Sequence, residues 1–173
     1  MHTIIDAERM AVVCQIMVDE NCDLAATDYK GKYSMCTSYN SEKGVTISEM
    51  LAADHDYLIV FNWERIKKAL AAGKIYKTVN GAKILDGRKG HSDLTLRIPV
   101  PKNPHGVNIS PDGKYAVCSG KVSPTATIVA LDRLDDAFAG KIKPEDCIVA
   151  QPYIGLGPLH TTFDGRGNAI TSV

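Results

Sequence analysis

The sequence lacks the features that mark several large classes of protein. Its 20 Lys and Arg residues are balanced by 20 Asp and Glu residues, so it has none of the positive surplus with which nucleic-acid binders neutralise phosphates. Its apolar runs are far shorter than a membrane span, and the longest, residues 57–61, is typical of a buried strand. The start of the chain lacks the basic residues and apolar stretch of a secretory signal. What remains is one ordinary globular domain, which 173 residues with 45% hydrophobic content can form.

Common catalytic and cysteine motifs are missing as well. There is no phosphate-binding loop, no G-x-S-x-G elbow and no H-E-x-x-H pair. The five cysteines are odd in number, and no two have the C-x-x-C spacing that is typical of zinc and redox sites. Cys36 and Cys118 fall inside apolar, strand-like runs, which favours reduced thiols that pack as small hydrophobic side chains. Disulfides and copper thiolates are the alternatives.

Strand patterns dominate what is present. Alternating and β-branched apolar residues predict strands over residues 31–39, 56–61, 93–100, 114–119 and 125–131. In the third of these, Leu94, Leu96 and Ile98 are expected to share one face. Short helices are predicted over residues 48–53, 64–72 and 133–139. Ser48 is the expected N-cap of the first helix, and Gly73 is expected to end the second.

Two segments of the chain repeat the same pattern. Gly31-Lys-Tyr and Gly113-Lys-Tyr each begin a strand, which is followed by a second strand, a short helix and an Ala-Gly-Lys sequence. A third copy begins near Asp164 and is interrupted by the end of the chain. Repeated β-units separated by turns are typical of propeller blades. We therefore expect an all-β fold, a partial β-propeller of about three blades with short helical insertions, as a fragment of a longer protein. A free-standing β-sandwich with two helices is the alternative.

Two histidines have a context that suggests a shared role. His105 follows a proline-rich segment and His160 a glycine-rich one, and each stands just before a predicted strand pair. If the repeats are blades, equivalent strands bring both imidazoles to the central channel, and imidazole is a common ligand of copper, zinc and iron. Two loop histidines that form hydrogen bonds with the backbone are the alternative. The remaining histidines are expected at the surface: His2, His55 and His91.

Oxygen-bearing side chains form a second candidate group. Glu42, Asp54, Asp56 and Asn103 are of the types that bind calcium together with backbone carbonyls. Solvated loop acids are the simpler interpretation of the same residues.

Several longer motifs resemble those of the nitrous oxide reductases. They are Tyr39-Asn-Ser-Glu42, Leu85-Asp-Gly-Arg88, Val100-Pro-Lys-Asn-Pro-His-Gly106, Gly120-Lys-Val-Ser-Pro124 and Gly155-Leu-Gly-Pro-Leu-His-Thr-Thr-Phe-Asp-Gly-Arg-Gly-Asn168. The resemblance covers about residues 28–173 and is weaker before that. It implies a periplasmic copper enzyme that reduces nitrous oxide to dinitrogen and water, the last step of denitrification. Its electrons would come from a donor such as a c-type cytochrome or a cupredoxin.

The resemblance also implies an architecture. In the family, an N-terminal seven-bladed propeller holds a four-copper, sulfide-bridged cluster by seven histidines, and a C-terminal cupredoxin domain holds a two-copper centre that receives electrons. The enzyme is a head-to-tail homodimer. On this basis residues 1–173 are part of the propeller domain. The cupredoxin domain, whose Cys-x-x-x-Cys spacing is missing here, is expected outside the chain, and the fragment is expected to be inactive alone.

The family's site residues carry over onto this sequence by motif. His105 and His160 match two of the seven cluster ligands and are therefore the expected catalytic residues. The resemblance also implies a calcium site near the cluster, with backbone carbonyls and side chains as ligands. Those ligands are the Tyr39 and Met50 carbonyls, the Glu42 carboxylate, Asp56 and Asn103. The competing interpretation is a metal-free β-propeller that serves as an interaction scaffold.

Overall fold

The computed structural model of the chain describes residues 1–39, 44–53 and 55–173. Within these ranges the chain is mainly β-structure, so the all-β fold class expected from the sequence is confirmed. The strands are β1 (His2–Asp6), β2 (Ala11–Met17), β3 (Asn21–Thr27), β4 (Tyr33–Tyr39), β5 (Asp56–Asn62), β6 (Lys77–Val79), β7 (Ala82–Asp86), β8 (Thr95–Val100), β9 (Pro104–Ile109), β10 (Tyr115–Gly120), β11 (Ala126–Ala130), β12 (Ile148–Ala150), β13 (Thr161–Phe163) and β14 (Ala169–Thr171). The helices are α1 (Ile47–Ala52), α2 (Trp63–Ala71) and α3 (Leu134–Phe138), with 3-10 segments at Leu131–Arg133 and Pro144–Cys147.

The described strands form three four-stranded sheets and one hairpin. One sheet has the order β3-β4-β5-β8 and a second the order β9-β10-β11-β12, and all neighbouring strands in both are antiparallel. The second sheet is a simple meander, whereas the β6–β7 hairpin interrupts the first and joins a different sheet. That third sheet has the order β1-β2-β7-β6, and its β2–β7 pair is parallel, which the sequence did not predict. Strands β13 and β14 form the hairpin.

The β3-β4-β5-β8 sheet is buried on both faces. Along β5, Leu58 and Val60 belong to a first core cluster, and Ile59 and Phe61 belong to a second core cluster, because successive residues of a strand face opposite sides of the sheet. All four side chains are fully buried. The sequence of β5 is therefore a continuous apolar run, and the sheet lies between the two others, whose side chains complete the two clusters.

The predicted helices are present with small shifts in their ends. The helix predicted over residues 64–72 is α2, and Gly73 follows it with a φ of 66°. The cap of α1 differs from the prediction, because the N-cap is Thr46 rather than Ser48. The Thr46 hydroxyl accepts a hydrogen bond from the Glu49 amide, while the Glu49 carboxylate accepts one from the Thr46 amide. None of the helices that the structure describes is long and apolar enough to cross a membrane.

The core contains the apolar residues around β8 and most of the cysteines, and two sequence predictions can be compared with it. Leu96 and Ile98 belong to the first cluster, but Leu94 precedes β8 and packs in the second, so the expectation that all three share a face is wrong. All five cysteines are free thiols, and Cys36 and Cys118 are fully buried in the core, as their apolar surroundings in the sequence predicted.

One of the histidines assigned to the surface is buried. The ring of His2 stacks on Phe61, with the ring centroids 4.1 Å apart, and its Nε2 lies 3.0 Å from the Ser34 hydroxyl oxygen. Burial lowers the pKa of His2 to about 4. The prediction failed because β1 was not recognised as a strand, whereas His55 and His91 are exposed as expected.

Candidate metal centre

The structure brings His105 and His160 side by side. His105 is the second residue of β9 and is half-buried, while His160 directly precedes β13 and is exposed. Their ring centroids are 4.8 Å apart, and their planes are inclined by 68°. Because metal–imidazole bonds are about 2 Å long, two rings at this separation can bind one metal cluster.

Hydrogen bonds between the two segments hold the histidines together. The Gly106 amide donates to the Leu159 carbonyl at 2.9 Å, and the Thr161 amide donates to Asn108 Oδ1 at 3.1 Å. A Cβ atom on residue 106 would lie 2.2 Å from the Leu159 carbonyl oxygen. Any side chain at this position would push the two segments apart, so the Pro-His-Gly sequence has a structural reason to end in glycine.

One side of the His105 ring is held by two polar side chains. Its Nδ1 lies 2.6 Å from Asp23 Oδ2 and 3.3 Å from the hydroxyl oxygen of Tyr39, which itself donates a hydrogen bond to Asp23. A carboxylate acceptor at this distance favours the tautomer with its proton on Nδ1, which leaves the lone pair of Nε2 available to a metal. Metal-binding histidines are commonly oriented in this way.

Asp23 is ionised next to this histidine. Partial burial is the largest single influence and raises the pKa of Asp23. Hydrogen bonds from Tyr39 and His105 and the charge of Lys121 together lower this pKa by more than burial raises it. The net result is a pKa of Asp23 below its ordinary value. Lys121 Nζ also lies 5.0 Å from the centre of the Tyr39 ring. Asp23, Tyr39 and Lys121 therefore form a small charged network beside His105, in which Asp23 is the anion.

A second group of oxygen atoms collects at one end of the β3-β4-β5-β8 sheet. Asp56 begins β5 and is fully buried, and its Oδ2 accepts a hydrogen bond of 2.6 Å from the backbone amide of Asn103. Tyr39 ends β4 at the same edge, because β4 and β5 are antiparallel and Ser38 pairs with Tyr57. Asn103 is buried with a φ of 56°, and its Oδ1 has no hydrogen-bond partner in the part of the chain that the structure describes. A buried oxygen without a donor is well suited to a cation.

The other two residues of the expected calcium set are less fully placed. Met50 lies in α1, in the connection between β4 and β5. Lys102 Nζ donates a hydrogen bond to the Ala53 carbonyl just beyond α1, so the end of this helix is held beside the turn that contains Asn103. Glu42, and Asp54 of the wider oxygen-bearing group, lie outside the described residues.

Comparison with known proteins shows what the chain is similar to. No protein-family model matches the chain. Along its whole length the chain is 51% identical to the nitrous-oxide reductase of Pseudomonas fluorescens, 48% identical to that of Ralstonia nicotianae and 47% identical to that of Stutzerimonas stutzeri. Over its whole length the chain is therefore similar to one segment of the nitrous-oxide reductases, as its motifs predict. It spans 28% of the length of each of these curated relatives.

A solved structure from outside the family has a similar arrangement of strands. The chain matches the hydrazine synthase of Kuenenia stuttgartiensis with a TM-score of 0.57 and 16% identity, over 97% of this chain and 50% of that one. At this level of identity the similarity concerns the fold alone.

The residues of the site that sequence analysis missed lie around His105. Asp23 is separated from His105 by 82 positions and lies in a strand of alternating exposure that carries no motif. Tyr39 was expected to contribute only its carbonyl, although its hydroxyl also contacts the ring. Within the described ranges, no group of three or more His, Cys, Asp or Glu side chains is positioned to hold a metal ion, so His105 and His160 stand as a pair.

Proposed function

We propose that this chain is part of an enzyme that reduces nitrous oxide to dinitrogen and water at a multi-copper sulfide cluster, and that His105 and His160 are two of its ligands. The observation that carries the proposal is the pair of adjacent imidazoles, in a chain about half identical to nitrous-oxide reductases along its whole length. The donor set fits the metal, because imidazole is a common copper ligand.

The chain's own residues position the ligands. Each nitrous oxide molecule needs two electrons and two protons, and copper bound at the site would supply the electrons. Asp23 keeps the proton of His105 on Nδ1, so that Nε2 stays available as a ligand atom. The contact of Gly106 with Leu159 keeps the segments of the two histidines at the separation that a shared cluster requires.

We also propose that the sheets are about three blades of a seven-bladed propeller. Strands β9 and β13 each begin a sheet, and they are in contact with each other. Strand β3 begins another sheet and contacts β9. If these three strands are the innermost strands of successive blades, both histidines stand at equivalent positions and face the central channel.

The remaining parts of the proposal concern the longer protein. Because the chain spans 28% of its curated relatives, the other cluster ligands and the cupredoxin domain with its two-copper centre would lie outside it. A periplasmic donor such as a c-type cytochrome or a cupredoxin would supply electrons to that centre. In a head-to-tail homodimer each cluster would receive electrons from the partner's two-copper centre, and the fragment alone is expected to be inactive.

Substitution of the two histidines in the full-length protein tests the copper proposal. His105→Ala and His160→Ala should each remove the cluster absorbance and abolish nitrous oxide reduction, because the cluster loses a ligand, while the two-copper centre keeps its metal. His91→Ala, at an exposed position, is the matched control. Copper content, cluster absorbance and turnover are measured together. If both variants keep a full cluster and normal turnover, the metal-free scaffold becomes the better interpretation.

A calcium ion beside the cluster is the second metal that we propose. Its ligands would be the Tyr39 and Met50 carbonyls, Glu42, Asp56 and Asn103. It is supported by the buried carboxylate of Asp56 and by Asn103 Oδ1, which has no hydrogen-bond partner among the described residues. A cation there would tie the β4–β5 connection to the turn that precedes His105. Asp56→Ala should lower both calcium and copper content, whereas Glu8→Ala, at an exposed position, should change neither. Unchanged calcium in Asp56→Ala would contradict the assignment.

A further inference from the structure

Two cysteines on neighbouring strands bring their sulfur atoms together. Cys22 lies in β3 and Cys36 in β4, and their Sγ atoms are 3.0 Å apart. In the register of the two strands, Cys22 pairs with Ser38 and Cys36 pairs with Ala25, so the cysteines are diagonal neighbours. An extra residue in β3 between these pairs forms a β-bulge, which changes the local twist and allows the diagonal side chains to meet.

The two thiols have different surroundings. Cys36 is fully buried in the second core cluster, whereas Cys22 is half-buried against that cluster. The Cys36 thiol donates its hydrogen bond to Cys22, and this contact lowers the pKa of Cys22 and raises that of Cys36. Cys22 is therefore both the more accessible and the more nucleophilic sulfur of the pair.

We propose that Cys22 and Cys36 are a redox-active pair that forms a disulfide between β3 and β4. The Cys22 thiolate attacks one sulfur of an external disulfide, such as oxidised glutathione or a disulfide oxidoreductase, which forms a mixed disulfide and releases one thiolate. The Cys36 thiol then gives up its proton and attacks Cys22 Sγ, which releases the second thiolate. Two protein thiols lose two electrons in total, and the external disulfide is reduced to two thiols.

The bond would act on the candidate metal centre through Asp23. This residue directly follows Cys22, and its carboxylate holds Nδ1 of His105. A covalent link from Cys22 to Cys36 would fix the bulged part of β3 that carries the carboxylate. The proposal does not depend on the metal, because it rests only on the two sulfur atoms and their surroundings.

The other three cysteines serve as internal controls. Cys14, Cys118 and Cys147 are fully buried, and burial raises the pKa of each thiol above its ordinary value. They should stay reduced under conditions that oxidise Cys22 and Cys36.

Peptide mapping of the full-length protein tests the bond directly. The protein is equilibrated with oxidised glutathione, unfolded in the presence of an alkylating reagent, and digested with trypsin and a glutamate-specific protease without reduction. Cleavage after Glu20 separates Cys14 from Cys22, so that a link between residues 21–30 and residues 33–42 identifies the bond. The linked pair should be about 2 Da lighter than the two reduced peptides together. Recovery of both peptides in alkylated form would overturn the proposal.

Single variants test the order of the two steps. Cys36→Ala should retain glutathione on Cys22 as a stable mixed disulfide, because the resolving thiol is missing, whereas Cys22→Ala should leave Cys36 unmodified in the folded protein. Cys118→Ala is the matched control and should still form the link. Absence of glutathione on Cys22 in Cys36→Ala would overturn the assigned roles. If the pair becomes reactive only after treatment with a copper(I) chelator, it is a copper thiolate site and the disulfide proposal is wrong.

Discussion

At the scale of single residues, one carboxylate determines how His105 can act. Asp23 accepts hydrogen bonds from both Tyr39 and His105, and its ionised form is favoured by those bonds and by Lys121. Without an acceptor beside Nδ1, the ring is free to rotate and to carry its proton on Nε2, where a metal must bind. If His105 binds the proposed cluster, Asp23 is a positioning residue that acts on the metal through the imidazole.

Replacement of Asp23 by asparagine should weaken the site while the fold is kept. Asp23→Asn preserves the size of the side chain but removes its charge, and the loss of such a partner typically costs about 10- to 100-fold in metal affinity or activity. We expect altered cluster absorbance in the full-length protein as well as slower turnover, a change that a purely structural role would not produce. Asp93→Asn, at an exposed position, is the control. Normal absorbance and turnover in Asp23→Asn would contradict the positioning role.

The buried His2 should make the stability of the fold dependent on pH. Its pKa is about 4 in the folded state against 6.5 in the unfolded state, so the folded protein favours the neutral ring. This contribution is fully present above pH 6.5 and is lost as the pH falls from 6.5 through about 4, a loss of up to about 3 kcal/mol. His2→Gln should reduce the fall of the thermal midpoint over this range, whereas His91→Gln should not. An identical fall in all three proteins would show that His2 does not contribute.

At the scale of elements, the strands with the strongest burial were the ones that the sequence could predict. Strands β5 and β11 are runs of apolar and β-branched residues, because both of their faces are largely buried. Strand β9 was missed, since its Pro-His-Gly start argues against a strand. It forms because Val107 and Ile109 both pack in the first core cluster. This tertiary packing overrides the low strand preference of proline and glycine.

The close approach at Gly106 is the element-scale feature that is easiest to test. Gly106→Ala would place a methyl group 2.2 Å from the Leu159 carbonyl, so β9 and the segment before β13 must separate. We expect the His105–His160 pair to be disrupted, with loss of cluster absorbance from the full-length protein. Gly140→Ala is a useful control, because it strains a left-handed residue that has open space around it, far from the histidines in the sequence. Equal copper content in the two variants would show that this contact is not needed for the site.

At the scale of the whole molecule, the candidate site is assembled from distant parts of the chain. His105 and His160 could be found from the sequence, because each stands in a motif before a repeated strand unit. Asp23 could not be found in this way, because it is 82 positions away from His105 and β3 and β9 belong to different sheets. Only the packing of those sheets brings Asp23 Oδ2 to 2.6 Å from His105 Nδ1. Residue types and repeats therefore predict the two candidate ligands, whereas the side chains that orient them depend on how the sheets pack.

A buried ion pair also joins the sheets, and it carries a prediction for the stability of the molecule. Arg97 in β8 donates to Glu20, between β2 and β3, with an Nε–Oε1 distance of 2.5 Å and an Nη2–Oε2 distance of 3.1 Å. The two side chains are only 7% and 4% exposed. The same guanidinium donates to the Gly87 carbonyl just after β7, so it connects the first sheet to the one that contains β2 and β7.

Removal of one charge from this pair should be costly. Glu20→Gln keeps the size of the side chain but leaves the buried Arg97 without its closest counter-charge, and such changes typically lower the free energy of unfolding by about 3–5 kcal/mol. Because Asp19 lies 3.5 Å from Arg97 and is partly exposed, it offsets some of this loss, and we expect the lower end of the range. Denaturant unfolding measures the effect, with Asp136→Asn in the exposed pair with Lys141 as the control that should show no measurable change. Equal stability of the two variants would show that this ion pair does not contribute measurably to the stability of the fold.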